Sequence, residues 1–203
     1  MDCRRTPNPQ RPSESLGATL RQEFSLAVHP DVGAVPRLTP SGAYFVPGAC
    51  PGEYCRYGEW ALDRGVTLRR APSLHADSIG FVPASRAVCA DSGLVIVDPP
   101  GIVLITAPPP QLDFSPYPPA FAPGDTLLVL NYRSEGYWNV RWRDSITPTY
   151  AYWDGARDRG ARVVRAPRNF WWVHVTDRGS GSRGWFLMEG VDWVSDERPA
   201  PCA

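Results

Sequence analysis

The density of proline and glycine constrains the fold of this chain more than any other feature. Its 203 residues include 23 prolines and 18 glycines, and neither residue type is tolerated in helix interiors. From about residue 57 onward, short β-like runs are separated by turn residues at intervals of about eight to twelve residues. This pattern predicts an all-β protein built from small barrels or a sandwich. The runs include "GVTLRR", "SIGFV", "RAVCA", "GLVIV" and "GIVLIT".

Composition also divides the chain. The N-terminal residues are rich in Pro, Arg, Ser and Gly without periodicity, which is typical of disorder. The stretch "APPPQLDFSPYPPAFAPG" (107–124) holds seven prolines and predicts a stiff, extended linker. We therefore expect a disordered arm (1–42), a first unit (43–106), a linker (107–122), a second unit (123–194) with an irregular insertion (143–170), and a tail (195–203).

Charge and hydropathy exclude two classes of function. The 21 basic and 21 acidic residues cancel, whereas a protein that binds nucleic acid along its whole surface would be basic. The best apolar stretch, "GLVIVDPPGIVLIT" (93–106), is broken by Asp98, Pro99 and Pro100 and is shorter than the ~20 residues of a membrane span. The run "FSLAV" (24–28) is too short for a secretory signal. We expect no nucleic acid and no membrane span, and the cysteines must indicate the compartment.

Three stretches carry a family resemblance. The first, "VTLRRAPSLHADSIGFVPASRAVCA" (66–90), has a strand, an Arg before a Pro-Ser turn, and two further strands. "EGYWNVRW" (135–142) and "WWVHVTDRGSGSRGWF" (171–186) supply aromatic strands, a Gly-rich hairpin and a closing Gly-Trp. These stretches resemble bacterial SH3-like (SH3b-type) domains, and residues 50–194 are similar to bacterial envelope proteins of unknown function that have two such domains. The resemblance implies two small SH3-like β-barrels in tandem, or one composite body, because the first unit lacks the closing Gly-Trp.

Two cysteines lie close together in "ACPGEYCRYGEW" (49–60). Four residues separate Cys50 from Cys55, whereas a thioredoxin-like pair has two, and a structural zinc needs a second close pair of ligands. A tight Pro-Gly turn allows a Cys50–Cys55 disulfide; a Cys55–Cys89 disulfide and free thiols are the alternatives. Oxidised cysteines would indicate the periplasm or the cell exterior, provided that the true N-terminus carries an export signal, and reduced ones would indicate the cytoplasm. Cys3 and Cys202 lie in the terminal segments, and we assign them no role.

Catalytic chemistry finds little support in the sequence. SH3-like modules often accompany cell-wall peptidases with a Cys nucleophile and a His base, but His29 lies in the arm, His75 in a turn-rich loop and His174 within a half-buried strand pattern. Glu53 and Glu59 lie in a turn region, where carboxylates are usually solvated. The sequence "GSGSRG" lacks the strand-to-helix setting of a phosphate loop. We expect no enzyme, no metal and no cofactor.

Aromatic residues give binding a stronger case. The chain has eight Trp and eight Tyr, and strand alternation places Tyr137, Asn139 and Arg141 opposite Trp138. These aromatics either cover a second layer of structure or line a groove of the kind that SH3-like barrels offer to extended peptides. Residues 141–168 contain seven Arg and three Asp, which suits an anionic or glycan-peptide ligand. The candidate binding residues are Tyr132, Tyr137, Trp138, Arg141, Trp172 and Trp185.

These observations favour one function over two alternatives. We expect a non-catalytic recognition or scaffolding protein of the bacterial cell envelope, which binds a peptide, a peptidoglycan fragment or a protein partner. The first alternative is a cytosolic interaction subunit with reduced cysteines, and the second is a cell-wall hydrolase.

Overall fold

The fold consists entirely of β-strands in the part of the chain that the structure describes. This computed structural model describes residues 36–40, 42–50, 55–108, 121–151, 153, 160–194 and 202, and no helix occurs among them. The predicted all-β class is confirmed. The strands are β1 (Arg37–Leu38), β2 (Tyr44–Pro47), β3 (Gly58–Leu62), β4 (Val66–Arg69), β5 (Ser78–Val82), β6 (Ala87–Val97), β7 (Gly101–Ile105), β8 (Thr126–Ser134), β9 (Tyr137–Trp142), β10 (Ser145–Tyr150), β11 (Ala161–Arg165), β12 (Asn169–Asp177), β13 (Arg183–Leu187) and β14 (Trp193–Val194).

The strands form two sheets. The large sheet has nine strands in the order β1-β2-β6-β12-β13-β4-β5, and β3 joins it by pairing with both β6 and β14. The small sheet has five strands in the order β10-β9-β8-β7-β11. Neither sheet closes into a barrel, so the tandem SH3-like barrels expected from the resemblance are not confirmed.

The strand pairs cross the predicted boundary between the two units. β6, from the first unit, pairs antiparallel with β12, from the second, over Val88–Val97 and Asn169–Asp177. In the other direction, β7 from the first unit pairs with β8 and β11 of the second. Each sheet therefore contains strands from both sides of residues 107–122. The predicted insertion is also partly regular, because it contains β10 and β11.

The large sheet is buried on both faces around β6 and β12. On one face, Val173 and Val175 of β12 pack in a core with Val88, Trp60 and Phe186. On the opposite face, the neighbouring strands place Phe45, Ile96 and Phe170 side by side, in a second cluster that contains Trp172 and Trp185. Strands that are buried on both faces are almost continuously apolar, which accounts for "GLVIV" and "FWWVHV".

A third cluster joins the two sheets. Leu130 of the small sheet is fully buried against Tyr44, Val95 and Val97 of the large sheet, and Leu128 packs beside them. The small sheet has its own core on its other face, around Val103, Leu127, Val129 and Val140. Phe121, which lies just before β8, packs in the same core.

Both cysteine pairs of the described chain lie on the large sheet. Cys50 and Cys55 form a disulfide, with 5.6 Å between their Cα atoms, which is consistent with the predicted pairing. The Tyr57 hydroxyl closes the same loop by donating a hydrogen bond to the Ala49 carbonyl. Burial raises the Tyr57 pKa, although the Trp171 side chain hydrogen bonds to the hydroxyl and partly opposes this effect.

The second disulfide corrects the sequence interpretation. Cys89 pairs with Cys202 and not with Cys55, so Cys202 has a structural role and is linked to the first residues of β6. The pairing spans 113 positions, and no local sequence pattern indicates a contact at that separation.

Several expectations fall on residues outside the described part. These are the disorder of most of the N-terminal arm, the extended form of most of the linker, the Pro51-Gly52 turn and most of the C-terminal tail. Within the described residues, no helix has the length and apolarity that a membrane crossing requires.

Candidate functional site

The strand register places a polar and cationic set of side chains on one face of β9. Val140 is fully buried in the small-sheet core, and Trp138 and Trp142 pack against the same core. Alternation along the strand therefore directs Tyr137, Asn139 and Arg141 to the opposite face. The sequence predicted this division.

β11 adds two arginines to that face. In the pairing with β7, Arg162 is opposite Leu104 and Arg165 is opposite Ile102. Since Leu104 and Ile102 are two residues apart, both arginines point to the same side of the sheet. The row through Ile102 continues through Leu128 to Arg141. Leu128 packs against the large sheet, so this is the side of the small sheet that faces the large sheet, and Arg162 and Arg165 are exposed at its edge. We call this side of the small sheet, which carries Arg141, Arg162 and Arg165, the arginine face.

A β-bulge makes this arrangement possible. On a regular strand, residues three positions apart point to opposite faces. The register skips Val164, which has no partner on β7, and one extra residue of this kind reverses the alternation. The bulge thus brings Arg165 onto the same face as Arg162.

These arginines are not neutralised by ion pairs within the described part of the chain. No carboxylate of those residues lies within 4.0 Å of the Arg141, Arg162 or Arg165 guanidinium. Arg162 and Arg165 are exposed, whereas Arg141 is half-buried. The described ion pairs all lie on the large sheet and its loops: Arg64–Asp63, Arg70–Asp77, Arg86–Asp177, Arg178–Glu59 and His174–Asp91.

One arginine is held by the backbone. Arg165 Nε donates a hydrogen bond to the Pro100 carbonyl at 3.0 Å, which fixes the direction of its side chain. Asp98 is near enough for Arg168 and Arg165 to lower its pKa, but burial outweighs them and the net shift is upward.

The other predicted binding residues do not share this face. Tyr132 and Trp138 are cross-strand neighbours on the core side of the small sheet, with ring centroids 5.6 Å apart. Trp172 and Trp185 are buried in the large sheet, with exposed fractions of 2% and 4%. The six candidates therefore lie on three surfaces, and the predicted aromatic groove does not form from them.

Tyr137 keeps its place on the arginine face, at the tip of the β8–β9 hairpin. Glu135 and Gly136 form the turn with φ values of 51° and 79°. A Cβ at position 136 would lie 2.8 Å from the Tyr150 ring, so glycine permits the close approach. Tyr137 and Tyr150 then pack edge to face with centroids 5.6 Å apart. Tyr150 also packs against the small-sheet core, so this aromatic pair links the tip of the hairpin to that core.

A second polar cluster lies on the large sheet. A bulge in β6 leaves Asp91 without a partner on β12, and its Oδ1 accepts hydrogen bonds from Ser92 Oγ at 3.1 Å and contacts His174 Nδ1 at 2.7 Å. A catalytic triad needs the serine hydroxyl bonded to the histidine. Here Ser92 and His174 both contact the Asp91 carboxylate, and the contact between Asp91 and His174 links β6 to β12.

Metal ligation and family comparisons add no further site. The described residues contain no group of three or more His, Cys, Asp or Glu arranged to hold a metal ion. No protein-family model matches the chain, and no curated protein matches it.

Sequence reasoning missed Arg162, Arg165 and the Asp91–His174 pair. The two arginines were visible only as part of a local charge excess, because the bulge that aligns them has no signature in the sequence. Asp91 and His174 are 83 positions apart, and only the pairing of β6 with β12 brings them together.

Proposed function

We propose that this protein is a non-catalytic recognition or scaffolding protein of the bacterial cell envelope, which binds an anionic ligand on its arginine face. The observation that carries the proposal is the alignment of Arg141, Arg162 and Arg165 on one side of a sheet without close carboxylates among the described residues. Guanidinium groups bind carboxylates and phosphates through paired, charge-assisted hydrogen bonds.

The two disulfides support an oxidising compartment as the location of the protein. Disulfides persist in oxidising compartments and are rare in the cytosol, and this chain has two. Together with the resemblance to bacterial SH3-like envelope proteins, this supports the periplasm or the cell exterior. In that setting, peptides, peptidoglycan fragments and other envelope proteins all offer carboxylates.

The choice of variant follows from burial. Sequence reasoning would select Trp172→Ala to test binding, but Trp172 is buried, and removing a buried Trp side chain costs about 3–5 kcal/mol of stability. A loss of binding in that variant would report unfolding. Arg141→Gln instead removes a charge from the arginine face and keeps part of the aliphatic side chain beside Leu128.

Co-sedimentation with purified peptidoglycan at low salt tests the proposal. We expect the wild-type protein to pellet, and Arg141→Gln to weaken binding about fivefold, as loss of one charge-assisted bond implies. Arg70→Gln is the matched control, because Arg70 is an exposed arginine that faces Asp77 on the large sheet. Absence of pelleting, or an equal loss in both variants, would contradict an envelope ligand on this face.

A further inference from the structure

The outer edge of β11 differs from an ordinary sheet edge. Among the described strands, β11 pairs only with β7, so its other side presents unpaired backbone groups. Four of its five residues are exposed, and the two central ones are Val163 (47% exposed) and Val164 (51% exposed). Exposed valines in the middle of an edge strand are a liability, which charged neighbours and a β-bulge reduce and a covering strand removes.

The opposite edge of the small sheet shows how an edge is kept free of partners. β10 carries Pro148, which has no N–H to donate to an added strand. β11 has no proline between its ends. Arg162 and Arg165 lie on either side of Val163 and Val164. This charge pattern can distinguish an acidic partner strand from a basic or uncharged one.

A second copy of the chain does not suit this edge. If two β11 strands paired antiparallel about Val163 and Val164, Arg162 of one copy would lie opposite Arg165 of the other. Like charges directly opposite each other destabilise a strand pair. An uncharged strand would cover the valines but would leave both arginines without a counter-charge.

We propose that the outer edge of β11 binds an extended acidic segment of a partner protein, which adds to the small sheet as a strand. Backbone hydrogen bonds along β11 would provide affinity, as in other complexes formed by strand addition. Carboxylates of the segment face Arg162 and Arg165, and its apolar side chains contact Val163 and Val164. Charge complementarity at the two arginines selects an acidic segment over a basic one.

The inference shares Arg162 and Arg165 with the proposed function, so the two tests use different readouts. Arg141 lies on β9, three strands away from β11. Arg141→Gln should therefore weaken peptidoglycan binding without changing strand addition. A result in which one assay fails and the other succeeds separates the two proposals.

The experiment measures fluorescence anisotropy of a labelled peptide in which Glu and Val alternate, titrated with the full chain. We expect saturable binding of this peptide and none of the counterpart in which Lys replaces Glu. A third peptide, with the acidic composition kept but proline at alternate positions, cannot form the backbone bonds. Its affinity should be at least about tenfold lower if the segment binds as a strand.

Variants complete the test. Arg162→Glu combined with Arg165→Glu should transfer the preference from the Glu peptide to the Lys peptide, whereas Arg70→Glu should not; Arg165→Gln provides a milder change if the double variant is unstable. Equal binding of the proline-containing peptide would show attraction by charge alone and overturn the inference. Absence of binding would overturn it too, as would a dimer in analytical ultracentrifugation that the double reversal abolishes.

Discussion

The two sheets treat their charged residues in opposite ways. Every ion pair among the described residues lies on the large sheet or its loops, and both disulfides are attached to it. The described residues of the small sheet form neither, and three of its arginines point to one side. Among the described residues, the large sheet thus holds the ion pairs and the cross-links, while the small sheet keeps charges available.

The difference is informative because the same residue types occur on both sheets. Arg86 on the large sheet faces the buried carboxylate of Asp177 at 3.8 Å, whereas Arg165 on the small sheet donates a hydrogen bond to a neutral carbonyl and has no ion pair with a described residue. Composition alone does not distinguish these two arginines. What distinguishes them is whether the fold brings a carboxylate near, and this depends on strand pairing.

The largest expected effect concerns the disulfides of the large sheet. In the chain-entropy model, a cross-link that closes a loop of about 114 residues stabilises the fold by about 5 kcal/mol, and one that closes about six residues by about 2 kcal/mol. Cys202→Ser should therefore lower the free energy of unfolding more than Cys50→Ser does. Urea unfolding without reductant measures both.

A non-reducing peptide map of protein purified from its host serves as the control for these variants. It should contain Cys50 linked to Cys55 and Cys89 linked to Cys202. Equal losses of stability in the two variants would contradict the larger effect expected for the Cys89–Cys202 disulfide. A map in which all five thiols are free would show that neither disulfide stabilises the large sheet.

An intermediate effect is expected at Asp177, where the large sheet satisfies a buried charge. The Ser180 hydroxyl is the main cause of its lowered pKa, and the Gly179 and Ser180 N–H groups and Arg86 act in the same direction. A lowered folded-state pKa gives stability that is complete above the unfolded pKa and is lost as the pH falls through the folded value. Asp177→Asn should cost about 2 kcal/mol at neutral pH, as loss of hydrogen bonds to a charged group implies.

Urea unfolding at a series of pH values between neutral and about 3 measures this effect. The acid-dependent loss of stability should be smaller in Asp177→Asn than in the wild type. Asp63→Asn is the matched control, since Asp63 is a more exposed aspartate of the same sheet whose pKa is lowered mainly by the Asp192 N–H. A larger change at Asp63 than at Asp177 would contradict the assignment.

The smallest expected effect has the opposite sign and concerns the small sheet. Thr149 is 2% exposed, and its Oγ1 has no hydrogen-bond partner among the described residues. A buried hydroxyl without a partner is costly, so Thr149→Val should raise the free energy of unfolding by about 1 kcal/mol. Thermal or urea unfolding measures the change. Thr147→Val, two positions away and half-buried, should have almost no effect, and a loss of stability at Thr149 would show that the hydroxyl is satisfied.

Local features of the fold were predictable from the sequence. The all-β class followed from proline, glycine and the spacing of short apolar runs. The two faces of β9 followed from alternation, and the structure places Trp138 against the small-sheet core on the side away from Arg141, as the pattern indicated. Each of these inferences needs only residues that are close in sequence.

The pairing of distant strands was not predictable in the same way. β6 and β12 are separated by more than 70 positions, and any apolar strand could serve either as a partner. For the same reason, the sequence could not show that Trp172 and Trp185 are covered. The bulges at Asp91 and Val164 were equally hidden, because one extra residue in a strand changes which side chains share a face without changing the composition.

The link between Cys89 and Cys202 also determines how the molecule carries mechanical load. A pulling force applied after Cys202 passes through the disulfide directly into β6, so residues 90–201 bear none of it. When the chain is pulled on both sides of this cross-link, β1 to β5 lie in the path of the force, whereas β7 to β13 lie inside the loop that the disulfide closes. Tension would therefore act first on the strands that precede β6, and the strand that carries Arg162 and Arg165 would bear no direct load.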